Sequence, residues 1–200
     1  MQSRFATALS VALSLLCASA VVAQAQQMND PDGRYSGGST KSRWTLFGGS
    51  SYASAVPRST VSYPNNHAPG TIVVNTTERR LYLVLDNTSA LRYGVGVGRI
   101  GFTWAGTTAI SQKKEWPAWT PPSQMLKRRP DLPRHMVGGP ENPLGARAMY
   151  LGSSLYRIHG SNEPETIGQG VSSGCFRLVN DDVIDLYNRV KVGAKVIVMR

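Results

Sequence analysis

The chain has 200 residues, 41% of them hydrophobic and 17% charged, and its 22 Lys and Arg against 12 Asp and Glu give a formal net charge of +10. That length leaves room for one modest folded domain with flanking segments. The basic residues are scattered, with Lys127-Arg128-Arg129 as a cluster and no basic-aromatic alternation, so the pattern of a nucleic-acid groove is missing and nucleic acid is not an expected partner.

At the N-terminus a short positive region, Met1 to Arg4, precedes an apolar run from Phe5 to about Val22 and then Ala23-Gln24-Ala25, the small-x-small pattern of a signal-peptidase site. Residues 1–25 therefore read as an export signal. Ser10, Ser14 and Ser19 interrupt the run and no stop-transfer flank follows it, so an integral membrane anchor is not expected. Bulky Leu16 before Cys17 argues against a lipid-anchor signal. Cleavage would remove Cys17 and leave net +9, a charge suited to anionic lipids or wall polymers outside the cytoplasm.

Residues 26–66 are rich in Ser, Gly, Asn and Pro and too poor in apolar residues to build a core, so a flexible tether is expected there. The folded domain is expected over 67–200. Thr71–Val74 and Arg80–Leu85 are β-rich runs around a polar Asn75–Glu78 turn, the signature of a hairpin. Leu91–Val97, Thr107–Lys114, Ala146–Leu151, Leu155–His159 and Lys195–Met199 read as further strands. Prolines in the Trp116–Pro122 stretch forbid regular structure. Two helices are expected: a short one at Ser123–Arg128, and Asp181–Val190 with Asn180 as N-cap, acids in its first turn, and Val183, Leu186, Tyr187 and Val190 on one face. The fold class is thus mostly β, a sandwich or barrel with one or two short helices.

After cleavage one cysteine, Cys175, remains, 16 residues after His159. Exported domains usually pair their thiols or lack them, which leaves a reactive cysteine or a buried, inert one. A cysteine nucleophile needs a base and N–H donors for the oxyanion. His159, at the end of a β-rich run, is a candidate base; the amides of Gly174 and Cys175, in a Ser-Ser-Gly-Cys turn, are candidate donors. His67 and His135 fall at no metal-ligand spacing with this pair, and neither a metal nor another cofactor is expected.

The blocks His159-Gly160, Ile167-Gly168, Ser172-Ser173-Gly174-Cys175-Phe176-Arg177-Leu178, Asn180–Val183 and Leu186-Tyr187 resemble the catalytic signature of the L,D-transpeptidases, the YkuD/ErfK family. Upstream, Gly94–Gly98 and Gly138–Arg147 resemble it too, so the likeness spans about 67–200. It implies a cysteine acyltransferase of the cell envelope acting on peptidoglycan stem peptides. Cys175 would attack the carbonyl of the third residue of a tetrapeptide and release D-Ala; an amine would then resolve the thioester, giving a 3→3 cross-link or an attachment to a lysine of an envelope protein.

Carried over, Cys175 is the nucleophile and His159 its base, with the carbonyl of Gly160 or Ser161 orienting the imidazole. Ser173 and Gly174 shape the turn and its oxyanion donors, and Ser172 joins Arg177 as a candidate substrate-binding residue. Arg177 holds a substrate carboxylate or braces that turn, the brace being slightly favoured because the side chain two places along a strand points to the same side. Ser173 stands where many family members carry a second histidine, leaving His159 as the motif histidine. Two alternatives share the pattern: a hydrolase of the same fold with water as acceptor, and a wall-anchoring module without turnover.

Overall fold

In the computed structural model, Ser54 and residues 56–200 are described. The expected export segment and most of the expected tether lie outside them. Among the described residues eleven strands and two α-helices follow in order, with one 3-10 turn at Pro164–Thr166: β1 (Ser59–Ser62), β2 (Ile72–Asn75), β3 (Arg80–Val84), β4 (Ser89–Gly94), β5 (Val97–Gly98), β6 (Gly106–Glu115), α1 (Ser123–Arg128), β7 (Arg147–Leu151), β8 (Arg157–His159), β9 (Gly170–Ser172), β10 (Phe176–Arg177), α2 (Asn180–Arg189) and β11 (Lys195–Met199). The mostly β class with two helices is as expected.

Nine strands run in the order β1-β4-β3-β2-β11-β6-β7-β8-β10. The hairpin β2–β3 pairs antiparallel, and its turn is tied by Asn75 Oδ1 accepting the Glu78 amide at 3.0 Å. Alternation drives the packing: Val196 and Val198 on β11 are buried while their strand neighbours are more open, and on β3 Leu81 and Leu83 are buried beside more open Arg80 and Tyr82, with Val84 buried as well at the strand's end. The long β6 serves two wings. Its first residues pair with β11, its later ones with β7, and the register shifts between Ile110 and Gln112. Ile72, Leu81 and Tyr93 from one wing and Met149, Ile158 and Phe176 from the other meet in a single core, which Val183 and Leu186 of α2 and its C-cap residue Val190 complete. An apolar helix stripe laid on a sheet face is the expected way to close such a core.

Three expectations need correction. The segment assigned to the tether up to residue 66 includes β1, which pairs with β4 through Ser59↔Arg92 to Ser62↔Ser89. Its one apolar residue, Val61, gave no compositional signal; edge pairing is a backbone affair and asks little of the side chains. The strand expected over Leu91–Val97 breaks after Gly94, and β5 instead pairs parallel with β9 while Gly96 bridges Arg177. Asn180 is not the N-cap. Val179 holds that place, and the Asn180 side chain turns back so that Oδ1 accepts the Ala146 amide at 2.9 Å.

Candidate active site

The site is built where two short parallel strands meet. β10 pairs with β8 through Phe176↔Ile158 and Arg177↔His159, and both Phe176 and Ile158 are sealed in the core. Alternation then directs Arg177 and His159 to the other face, and the same alternation carried one step back sets Cys175 beside Arg157 on that face. The ladder thus sets Arg177 opposite His159 and leaves Cys175 diagonal to the histidine on the same face.

His159 is 4% exposed, and its Nδ1 lies 2.6 Å from the Gly160 carbonyl. A carbonyl only accepts, so this contact fixes the proton on Nδ1 and leaves Nε2 with a free lone pair. Gly160, not Ser161, supplies that carbonyl. It is itself held: its amide donates to Arg147 O at 3.0 Å, and a Cβ on Gly160 would stand 2.3 Å from Asn180 Oδ1. Asn180 thus clamps the start of α2 onto the backbone behind the histidine, a role its capping pattern concealed.

Burial lowers the His159 pKa to about 3, and the neighbouring Arg177 and Arg157 cations add to the effect against the Gly160 hydrogen bond. Cys175 is half-buried, and desolvation raises its thiol above the ordinary value while Arg157 and Arg177 pull the other way. Thiol and imidazole are therefore both neutral at rest around neutral pH. The Cys175 sulfur sits 3.8 Å from the Leu155 carbonyl.

The turn before Cys175 is organised by Ser172. Its buried hydroxyl donates to Cys175 O at 2.6 Å and accepts the Gly174 amide at 3.1 Å. This changes the expected donor set, because Gly174 N–H is engaged. Among the described residues the amides of Ser173 and Cys175 have no protein partner, and these two are available to an oxyanion. Gly174 is demanded by the backbone, with φ at 106°, and a Cβ there would meet the Tyr156 ring at 2.5 Å. Its carbonyl accepts from Trp104 Nε1 at 3.1 Å, and Trp104 stacks on Tyr156 with centroids 4.8 Å apart. Arg177 Nη1 donates to Glu163 Oε2 at 2.9 Å, so the guanidinium is tied to the segment after His159 rather than to carbonyls of the turn.

His67 and His135 stay out of the site: the His67 amide donates to Asn65 Oδ1, and His135 Nδ1 contacts Thr120 Oγ1 at 3.1 Å. Among the described residues no three His, Cys, Asp or Glu side chains stand together as metal ligands, and no helix is long and apolar enough to cross a membrane. Arg157 was missed from sequence. Its signal was its place two residues before His159 on a strand, which puts both on one face.

The profile of the YkuD family, described as the L,D-transpeptidase catalytic domain, matches residues 69–198. The probable L,D-transpeptidase ErfK/SrfK of Escherichia coli (strain K12) is 40% identical over 134 residues, covering 62% of this chain and 42% of that protein. The chain thus spans less than half the length of such curated relatives. Among solved structures, L,D-transpeptidase 3 from Mycobacterium tuberculosis aligns over 65% of this chain and 60% of that one, with a TM-score of 0.53 at 18% identity, a likeness of fold. A Brucella melitensis protein described as a probable carnitine operon oxidoreductase is 44% identical over 72% of this chain and 94% of its own, with a TM-score of 0.50. That description stands apart from the L,D-transpeptidase names of the other relatives, and the profile match over 69–198 carries more weight than one protein's label. With the profile covering well over half its length, the chain belongs to the YkuD family of L,D-transpeptidase catalytic domains.

Proposed function

We propose that this domain is a peptidoglycan L,D-transpeptidase that works through an acyl-enzyme on Cys175. The observation that supports this most is the imidazole locked at Nδ1 by the Gly160 carbonyl at 2.6 Å, on the strand face that also carries Cys175. Because thiol and imidazole are both neutral at rest, the proton leaves sulfur as the S–C bond forms, passing to His159 Nε2. The Ser173 and Cys175 amides hold the oxyanion of the tetrahedral intermediate. His159 then returns the proton to the leaving amine as the C–N bond breaks, D-Ala departs, and the third stem residue remains as a thioester.

An amine acceptor reverses the sequence, giving up its proton to His159 and displacing the thiolate. The side-chain amine of a second stem peptide would give a 3→3 cross-link; a lysine of an envelope protein would give an anchor. The export signal read at 1–25 would deliver the domain to the periplasm or cell envelope, where these substrates are. Purified protein incubated with disaccharide-tetrapeptide and followed by mass tests the reading. Cross-linked dimer with released D-Ala is expected; tripeptide alone would make the protein a hydrolase, and unchanged donor would favour a wall-anchoring module.

A further inference from the structure

Arg157 stands beside the nucleophile, its side chain hydrogen-bonded to the Cys175 thiol, and no carboxylate neutralises it among the described residues. The β8–β10 register sets it next to Cys175 and on the face that carries His159. Its Nε is buried with no hydrogen-bond partner, and among the described residues it has no acidic partner, whereas Arg177 has Glu163 and Arg147 has Glu115. The Tyr150 ring supports the guanidinium from one side, 5.0 Å from ring centroid to Cζ. A half-buried guanidinium held by an aromatic face and lacking a counter-ion is poised for an anion.

The anion has to lie close to the atom that Cys175 attacks. When a peptide is cut at its last bond, the attacked carbonyl carbon is three bonds from the carbon of the terminal carboxylate, so a cation beside the sulfur is within reach of that carboxylate. Cut one residue further in, the same place would hold a neutral amide. We propose that Arg157 receives the free C-terminal carboxylate of the acyl donor and so restricts the enzyme to removing a single terminal residue. This rests on the transpeptidase reading above for the identity of the donor, though not for the presence of an anion site beside Cys175.

Two reagents of similar size and reactivity separate those questions. Iodoacetate carries a carboxylate and iodoacetamide a neutral amide, and both alkylate Cys175 without any stem peptide. The ratio of their rates on the folded protein reads the anion site directly. Arg157→Gln should lower the iodoacetate-to-iodoacetamide ratio by about fivefold or more, and Arg157→Lys should keep most of it. Lys195→Ala, which removes a charge from the exposed start of β11, should leave the ratio unchanged. A ratio unmoved by Arg157→Gln in protein with an intact thermal transition, or moved equally by Lys195→Ala, would overturn the proposal.

With tetrapeptide donors, the wild type should favour the free C-terminal acid over its C-terminal amide by about tenfold or more in kcat/KM, and Arg157→Gln should erase that preference by slowing the acid alone. An equal loss on both donors would make Arg157 a support for the site and overturn carboxylate recognition. If the wild type turns over neither donor, the stem-peptide reading falls while the alkylation ratio still decides whether the anion site exists.

Discussion

Titrating His159 probes the site's electrostatics without altering its shape. With its pKa lowered from 6.5 to about 3, chiefly by burial, the ring stays almost wholly neutral at pH 5. An ordinary histidine would be only about 3% neutral there, so a reaction needing the neutral base would slow about 25-fold between pH 7 and pH 5. The expected result is a kcat/KM at pH 5 within about twofold of that at pH 7. Stability offers a second reading of the same shift. The folded-state pKa lies below the unfolded one, so the unfolded chain binds the proton first as pH falls through 6.5, and stability is lost from there down towards 3 at up to about 1.4 kcal/mol per pH unit. His159→Gln should flatten that slope in denaturant titrations between pH 6 and pH 4. Ring-proton NMR, with the same variant assigning the resonance, would locate the midpoint; a value near 6.5, together with a steep loss of activity by pH 5, would refute the reasoning.

Ser172→Ala removes a buried hydroxyl that makes two hydrogen bonds within the nucleophile turn, so stability should fall by about 2–4 kcal/mol and kcat by more than KM rises, as calorimetry and kinetics would report. Arg177→Lys should lower Tm and kcat together, because the guanidinium is engaged with Glu163; a raised KM with both intact would mean that it leaves Glu163 for the donor. Asp182 is buried, one of its oxygens has no partner, and its pKa is raised to about 6, with desolvation the main cause. A carboxyl raised in the fold costs stability as pH climbs from 3.8 through 6, so Asp182→Asn should stabilise the protein by about 1–3 kcal/mol at pH 8 and give no such gain at pH 4. Equal effects of Asp182→Asn at the two pH values would contradict that cause.

The elements legible in the sequence are those whose signal is local. The β2–β3 hairpin shows in its two apolar runs and polar turn, α2 in its Val183-Leu186 stripe continued by the C-cap Val190, and β11 in its alternation. His159 and Cys175 stood out because a lone thiol in a glycine turn downstream of a histidine is chemically unusual in a sequence that carries an export-signal pattern. What escaped is carried by pairings of two or three residues distant in sequence. The β5–β9 ladder and the Gly96–Arg177 bridge leave no periodic trace, yet they position the nucleophile turn. Arg157 becomes a neighbour of Cys175 only once the parallel register of β8 and β10 is known. The Gly174 amide looked free because sequence cannot show a Ser172 hydroxyl turning inward to claim it. Asn180 imitated a cap for a related reason: its side chain satisfies a backbone amide, but that of Ala146 across the fold rather than one in its own helix.

The central claim is that the carbonyl of the third stem residue is carried on the Cys175 sulfur. Intact-protein mass spectrometry of the enzyme quenched in acid during turnover of disaccharide-tetrapeptide addresses it most directly. The account predicts a mass increase equal to the donor minus D-Ala, mapped to Cys175 by peptide fragmentation, labile to hydroxylamine as a thioester is, and missing from a folded Cys175→Ala variant that releases no D-Ala. D-Ala release by Cys175→Ala at the wild-type rate, or an adduct mapped to any other residue, would contradict it.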